Sequence, residues 1–185
     1  MAIVCSKALA VRPVVPADDL FLYQLYASTR AAELAVYGWP PAQQEAFLQL
    51  QFRAQRQHYE SYPNTTHYLI EQTDQVFGNP VTHAIGRLLT SRPGGAENEI
   101  RLVDISLLPE KCGNGIGTAL LEWLQAEARL NNQPLRLHVA PENPARRLYE
   151  RLGFQLIEDR GSHLFLEWRA AAKEFFMSRS NALKQ

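Results

Sequence analysis

Apolar residues recur along this chain at two periods, near two and near 3.6, and the switches between them predict its elements. Ala8 to Val15 is rich in β-forming residues and reads as the first strand, ending before Pro16. Asp18 or Asp19 caps a first helix, with Leu20, Tyr23, Gln24, Ala27, Arg30 and Ala31 at helical spacing. Gly38, Trp39, Pro40 and Pro41 break it. A second helix is expected from about Ala42 to Tyr59, with Phe47, Leu50, Ala54 and His58 on one stripe and Gln and Arg on the wet side. Thr66 to Thr73 and Val81 to Ser91 read as strands of a hairpin turning at Phe77 to Pro80. Pro93 to Asn98 is an exposed connection. Ile100 to Leu108 reads as a strand, and a helix follows to Asn131 and Asn132. Leu135 to Ala140 is a short strand, Ala145 to Leu152 a helix stopped by Gly153, and Phe154 to Glu158 with His163 to Trp168 a closing hairpin. Residues 1–168 therefore read as one domain without repeat or linker. Residues 169–185 form a tail with the pattern of a short amphipathic helix, available as a lid or as a dimer contact.

The densest chemical signal lies between the strand that ends at Pro109 and the helix that starts near Ala119. Gly113, Gly115 and Gly117 alternate with other residues there. Glycine at every second position lets backbone N–H groups crowd around a ligand without Cβ clashes. The first turn of the following helix adds unpaired donors and a partial positive charge, so the segment suits an anion such as a pyrophosphate. Two common phosphate loops do not fit. No Lys follows any of these glycines, as a P-loop requires, and Gly117 comes one position too early for Gly-x-Gly-x-x-Gly.

Composition narrows the function classes. The chain has 185 residues, 19 Lys+Arg and 19 Asp+Glu, so formal net charge is zero. That balance removes the electrostatic case for a nucleic-acid partner. Cys5 and Cys112 are too few for a disulfide framework or a thiolate metal cluster, which favours a reducing, cytoplasmic setting. His58, His67, His83 and His163 have no metal-ligand spacing, and no metal is expected. No apolar run approaches membrane-spanning length, and residues 1–5 lack the charged start of a signal peptide. No membrane partner is expected.

A second motif follows the glycine loop: Asn143, Ala145, Tyr149, Gly153 and Phe154 form Asn-x-Ala-x-x-x-Tyr-x-x-x-Gly-Phe. Together with Cys112-Gly-Asn-Gly115-Ile-Gly117, set against the pattern Arg/Gln-x-x-Gly-x-Gly/Ala, the chain resembles the GNAT superfamily of acetyl-coenzyme A-dependent N-acetyltransferases. The likeness spans about residues 8–168. It implies an α/β (α+β) fold with a mixed central sheet, splayed between the fourth and fifth strands and flanked by helices. It also implies acetyl-CoA as the acetyl donor and a small-molecule, amino-acid or protein amine as acceptor. The alternative is a catalytically silent module of the same fold that binds a ligand or a partner. Homodimerisation stays open.

The resemblance also assigns roles. Leu107 and Pro109 stand where the pantetheine arm meets the fourth strand. Cys112, Gly113, Asn114, Gly115, Ile116, Gly117 and Thr118 form the pyrophosphate loop. Asn143 bonds the cofactor arm, Arg146 or Arg147 reaches the adenosine phosphates, and Tyr149 protonates the departing thiolate. Cys112 departs from the pattern, since Arg or Gln is usual there; it reads as a substitution rather than a nucleophile, and Lys111 is the neighbouring cation available to compensate. For the general base, Arg101 occupies the place where a Glu is common. Glu99 shares its parity but lies farther from the splay, and Asp104 faces the opposite way unless a bulge intervenes. His138, on the fifth strand, is the leading candidate, acting directly or through water. The first two helices wall the acceptor pocket, with Tyr37, Trp39, Phe47, Phe52 and Tyr59 available as lining and Glu33 and Glu45 as amine contacts.

Overall fold

A computed structural model describes residues 3–4, 8–95 and 98–170. The chain runs β1 (Ile3–Val4), β2 (Leu9–Pro13), α1 (Asp19–Ala35), α2 (Pro41–Glu60), β3 (Thr65–Val76), β4 (Asn79–Ser91) and β5 (Ile100–Leu107). It continues α3 (Ile116–Leu130), β6 (Leu135–Val139), α4 (Arg146–Arg151), β7 (Gln155–Asp159) and β8 (Leu164–Trp168). One eight-stranded sheet has the order β1-β2-β3-β4-β5-β6-β8-β7. Its pairs are antiparallel except β5 with β6, so the sheet is mixed, as the motifs implied. The short β1 was not expected from the sequence, and it moves the strand count by one: β5 and β6 are the fourth and fifth strands of the resemblance. Part of the Pro93 to Asn98 connection and the tail beyond Ala170, with its helix, lid and dimer expectations, lie outside the described residues.

Helices cover both faces of the sheet. α3 buries Ile116, Leu120, Leu121, Leu124 and Ala128 at helical spacing against Ile85, Leu88, Leu102, Leu135 and Leu137. Each fully buried Leu contributes about 1.5–3 kcal/mol relative to exposure. On the other face, α1 and α2 pack Leu22, Tyr26, Leu34, Leu48 and Phe52 over Leu69. Here the expected helix faces were rotated. In α1, Leu20 is exposed while Leu22, Leu25, Tyr26 and Leu34 are buried. In α2, Leu50 is exposed while Leu48, Phe52 and Tyr59 are buried. Both stripes of α2 obey a helical period, and the one that buries two large aromatic rings wins. Tyr23 and Tyr26 each meet Phe52 with ring centroids 5.6 Å apart.

The feature that creates the site is the parting of β5 and β6. They pair only from Ile100↔Leu135 to Leu102↔Leu137. Beyond that point β5 stays with β4 as far as Leu107↔Gly86, while β6 stays with β8 as far as Val139↔Leu164. The parting coincides with a bulge: Thr90 pairs with Leu102 but Leu89 with Asp104, which makes Val103 the extra residue. Ile100 and Leu102 lie in the α3-side core, and so do Ile105 and Leu107. The alternation therefore slips by one, and Asp104 and Ser106 face α1 and α2. Gly86 lets β4 approach this stretch, because a Cβ there would run into the Ser106 carbonyl and stand 2.7 Å from Leu107 Cδ2.

Candidate active site

β5 ends in a 3-10 turn, Pro109–Lys111, that delivers the glycine loop to the first turn of α3. The three glycines are required for different reasons. Gly113 and Gly115 have φ of 77° and 79°, and a Cβ on either would find nothing within 4 Å. They are glycines because of backbone conformation, and the space before them is open. Gly117 is helical, and a Cβ there would press on Leu148 Cδ2 at 3.2 Å, so it is glycine to let α3 approach α4. The first intrahelical bond runs from Ala119 N–H to Gly115 O at 3.0 Å. The amides from Gly113 to Thr118 thus have no backbone acceptor among the described residues and are free to bond an anion. Ile116 gives only its amide, since its side chain is core.

The loop opens into a cleft of about 610 Å³, lined by Leu107, Cys112, Gly113, Gly115, Gly117, Thr118, Asn143 and Tyr149 among others. It occupies the gap between the parted strands, where β5 presents main chain without a β6 partner. Pro109 opens the 3-10 turn at the end of that edge and does not line the cleft; Asn114 lies outside the lining as well, its side-chain amide donating to Glu110 O at 3.3 Å.

Tyr149 arrives from the other wall. Asn143 Oδ1 accepts the Ala145 N–H at 2.9 Å and starts α4. Gln125 Nε2 donates to Leu152 O at 2.9 Å and ties the end of α4 to α3. Gly153, at φ 85°, then stops the helix. The Tyr149 ring meets Phe154 edge-on with centroids 5.6 Å apart. Burial pushes its phenol up to about 12, and the negative charge of Asp104 acts in the same direction. Tyr149 therefore holds its proton at neutral pH.

The cations near the loop are not those the sequence suggested. Lys111 Nζ donates to Gln72 Oε1 at 2.8 Å, which turns it toward β3. Arg146 pairs with Glu150 at 2.7 Å on the exposed side of α4. Arg151 lines the cleft instead. Helical spacing does not flag it, because a residue two positions beyond Tyr149 lies on another face of α4. Cys112 lines the cleft with its thiol 3.6 Å from Leu108 O. A guanidinium at that position would meet any phosphate held by the loop, so Cys112→Arg should tighten CoA binding by about tenfold, the scale of one charge-assisted bond. Calorimetry checks this; unchanged affinity would mean the backbone donors already saturate the phosphates.

Asn143 also borders a second, more polar cavity of about 260 Å³, lined by Leu25, Tyr26, Thr29, Arg30, Gln55, Arg87, Asp104 and Ser106. Arg87 is buried, and its Nε donates to Asp104 Oδ2 at 2.9 Å and its Nη2 to Gln55 Oε1 at 3.1 Å. Ser106 Oγ donates to the same carboxylate at 3.1 Å. Burial and the charge of Asp104 raise the Tyr59 hydroxyl above the ordinary phenol range. The bulge at Val103 is what brings Asp104 here, and strand alternation alone had turned it away.

The other base candidates lie elsewhere. Glu99 is 1% exposed and clamped by Arg101 and Arg136, each at 2.6 Å. A carboxylate held by two guanidiniums is a structural tie between β5 and β6, not a free proton acceptor. His138 is exposed and lies flat on Phe165, with ring centroids 4.7 Å apart and planes at 19°. Desolvation holds its pKa below the ordinary imidazole value, and the charge of Arg101 adds to the effect. It lines neither cavity. Of the expected amine contacts, Glu33 pairs with Arg30 at 3.0 Å and Glu45 accepts from Gln49 at 2.7 Å. The aromatics Trp39, Phe47 and Phe52 belong to the α1–α2 core.

Comparison with known proteins gives the same picture. The fold matches the PaiA N-acetyltransferase from Thermoplasma acidophilum in complex with coenzyme A at TM-score 0.60 and 17% identity, over 89% of this chain and 100% of that one. It matches an acetyltransferase from Thermus thermophilus at TM-score 0.59 and 21% identity, over 92% and 100%. It also matches a spermidine N-acetyltransferase from Vibrio cholerae, in complex with CoA and spermine, at TM-score 0.56 and 20% identity, over 88% and 94%. At such identities these likenesses speak for the fold alone. Among curated proteins none matches the chain. The sequence profile of the acetyltransferase (GNAT) family covers residues 22–154, from α1 through the loop and Asn143 to the Gly153-Phe154 pair that ends α4. The glycine loop, the parted strands and Tyr149 thus stand in the frame of that profile, and the chain belongs to the GNAT acetyltransferase family.

Proposed function

We propose that residues 1–168 act as one N-acetyltransferase domain that moves an acetyl group from acetyl-CoA to a primary amine. The observation that carries this reading is the meeting of two cavities at Asn143. One has open backbone donors and a protonated tyrosine, and the other has a carboxylate on the adjacent strand. The donor set fits coenzyme A: the amides of Gly113 to Thr118 suit a pyrophosphate, and the free edge of β5 suits the amide groups of a pantetheine arm.

Bound acetyl-CoA would supply a thioester whose carbonyl carbon takes the amine nitrogen and whose sulfur leaves. Asp104, rather than His138, is placed to accept the proton that the nitrogen sheds, because it borders the acceptor cavity and His138 does not. Tyr149 donates a proton to the departing sulfur, and its raised pKa keeps that proton available. Asn143 has its Oδ1 engaged with Ala145, so its Nδ2 is the group left to orient a ligand at the junction.

The silent-module reading draws on one observation, the absence of Arg or Gln at position 112 with Lys111 turned to Gln72. Calorimetry with acetyl-CoA, followed by mass spectrometry of an amine panel, separates the two. Binding with transfer supports the enzyme. Binding without transfer to any amine supports the module, and no heat at millimolar acetyl-CoA would remove coenzyme binding altogether.

A further inference from the structure

The charges of the acceptor cavity restrict what can enter it. Resting on the acetyl-transfer reading, we propose that the acceptor is a compact zwitterion, an α-amino acid, whose carboxylate is received by Arg30 while its amine lies toward Asp104. Three charged side chains line this cavity: Arg30, Arg87 and Asp104. Asp104 is already matched by Arg87 at 2.9 Å. The lining therefore carries one surplus positive charge, at Arg30. Tyr26, Thr29, Gln55, Ser106 and Asn143 supply uncharged polar groups, which can bond a polar ligand but cannot neutralise a second ammonium.

Arg30 is available to a ligand. Its fixed partner is Glu33 at 3.0 Å, and both side chains are about half exposed at 46% and 56%. Such a pair is weak because water screens it. The guanidinium also lies over the Tyr26 ring, 5.7 Å from its centroid, which holds it at the cavity wall. A guanidinium so placed offers two parallel N–H donors, the geometry that matches a carboxylate. Glu33 is the only carboxylate partner Arg30 has among the described residues, and a ligand carboxylate inside the cavity replaces it.

Size points to the same class. About 260 Å³ falls below the roughly 300–1,000 Å³ of pockets that bury drug-sized ligands. A single amino acid fits a cavity of that size. A protein N-terminus lacks a carboxylate beside its amine. A polyamine would bring two or more cations to a wall whose one carboxylate is paired, and like charges disfavour that entry.

The test compares each common L-amino acid with its own decarboxylated amine and its own carboxamide, with spermidine added, by kcat/KM for acetyl-CoA-dependent acetylation. The amino acids should exceed both neutralised forms by about tenfold or more, and Arg30→Gln should collapse that ratio toward one. Arg30→Lys should retain part of it, and circular dichroism confirms that the variants fold. A preference for decarboxylated amines, carboxamides or spermidine overturns the proposal while leaving acetyl transfer standing. So does a ratio that Arg30→Gln leaves in place. If acetyl-CoA binds and no amine of any kind is acetylated, the acetyl-transfer reading fails and the acceptor assignment falls with it.

Discussion

Tyr149→Phe should lower kcat by about 10²- to 10⁴-fold while leaving acetyl-CoA affinity nearly unchanged, the range expected when a positioned proton donor is removed. The substitution deletes one oxygen and keeps the ring. That ring is 6% exposed and packs edge-on against Phe154, so the core around α4 keeps its shape. Tyr149 lines the cleft, and its hydroxyl is the one group the substitution removes. Burial holds it protonated, with a pKa pushed up to about 12. A departing alkanethiolate is a better leaving group once protonated, and a phenol that has kept its proton can supply it. Stopped-flow or steady-state release of free CoA measures the rate, and calorimetry measures the affinity. A loss of affinity that matches the loss of rate would make Tyr149 a binding contact, and an undiminished rate would remove it from the chemistry.

The glycine-loop cleft was largely legible from the residues, and the polar cavity beside it was not. Gly113, Gly115 and Gly117 stand at the junction of a strand and a strongly amphipathic helix, so local pattern and local chemistry agree there. Asn143, Tyr149 and Gly153 likewise lie within one turn-helix-turn unit. The polar cavity is assembled from five separate segments: α1, α2, β4, β5 and the turn before α4. Arg87 reads as one charged residue in a strand; only β3, β5 and α2 closing around it make it buried and place it against Asp104. Asp104 itself was turned the wrong way by alternation, because a bulge shifts parity without leaving a Gly or Pro to mark it. The same limit applies to α2. Phe47 and Leu50 on one stripe, Leu48 and Phe52 on another, both satisfy a 3.6 period, and the choice is made by packing against Leu69 and α1.

Asp104→Asn should reduce kcat/KM by about 10²- to 10⁴-fold at neutral pH, with much of the loss recovered as pH rises. The amide keeps the shape of the carboxylate and an oxygen to accept from Arg87 Nε, so the buried guanidinium is not stripped of every partner. What it cannot do is accept a proton from an ammonium. On the proposed mechanism, Asp104 takes that proton in the wild type, so the acceptor can enter in its abundant protonated form. In the variant, the reaction must wait for amine that arrives already neutral, a fraction that grows tenfold per pH unit below the amine's own pKa. The log of the variant's kcat/KM should therefore climb with unit slope where the wild-type profile is flatter. A purely structural Asp104 gives a different signature. The variant would then melt at a lower temperature, keep the wild-type pH profile, and lose rate only in proportion to the unfolded fraction. Because Arg87 reaches Asp104 through both Nε and Nη2, and Gln55 through Nη2 as well, Gln55→Leu serves as the matched control. It perturbs the same guanidinium without touching the proton acceptor, and it should leave the shape of the pH profile intact.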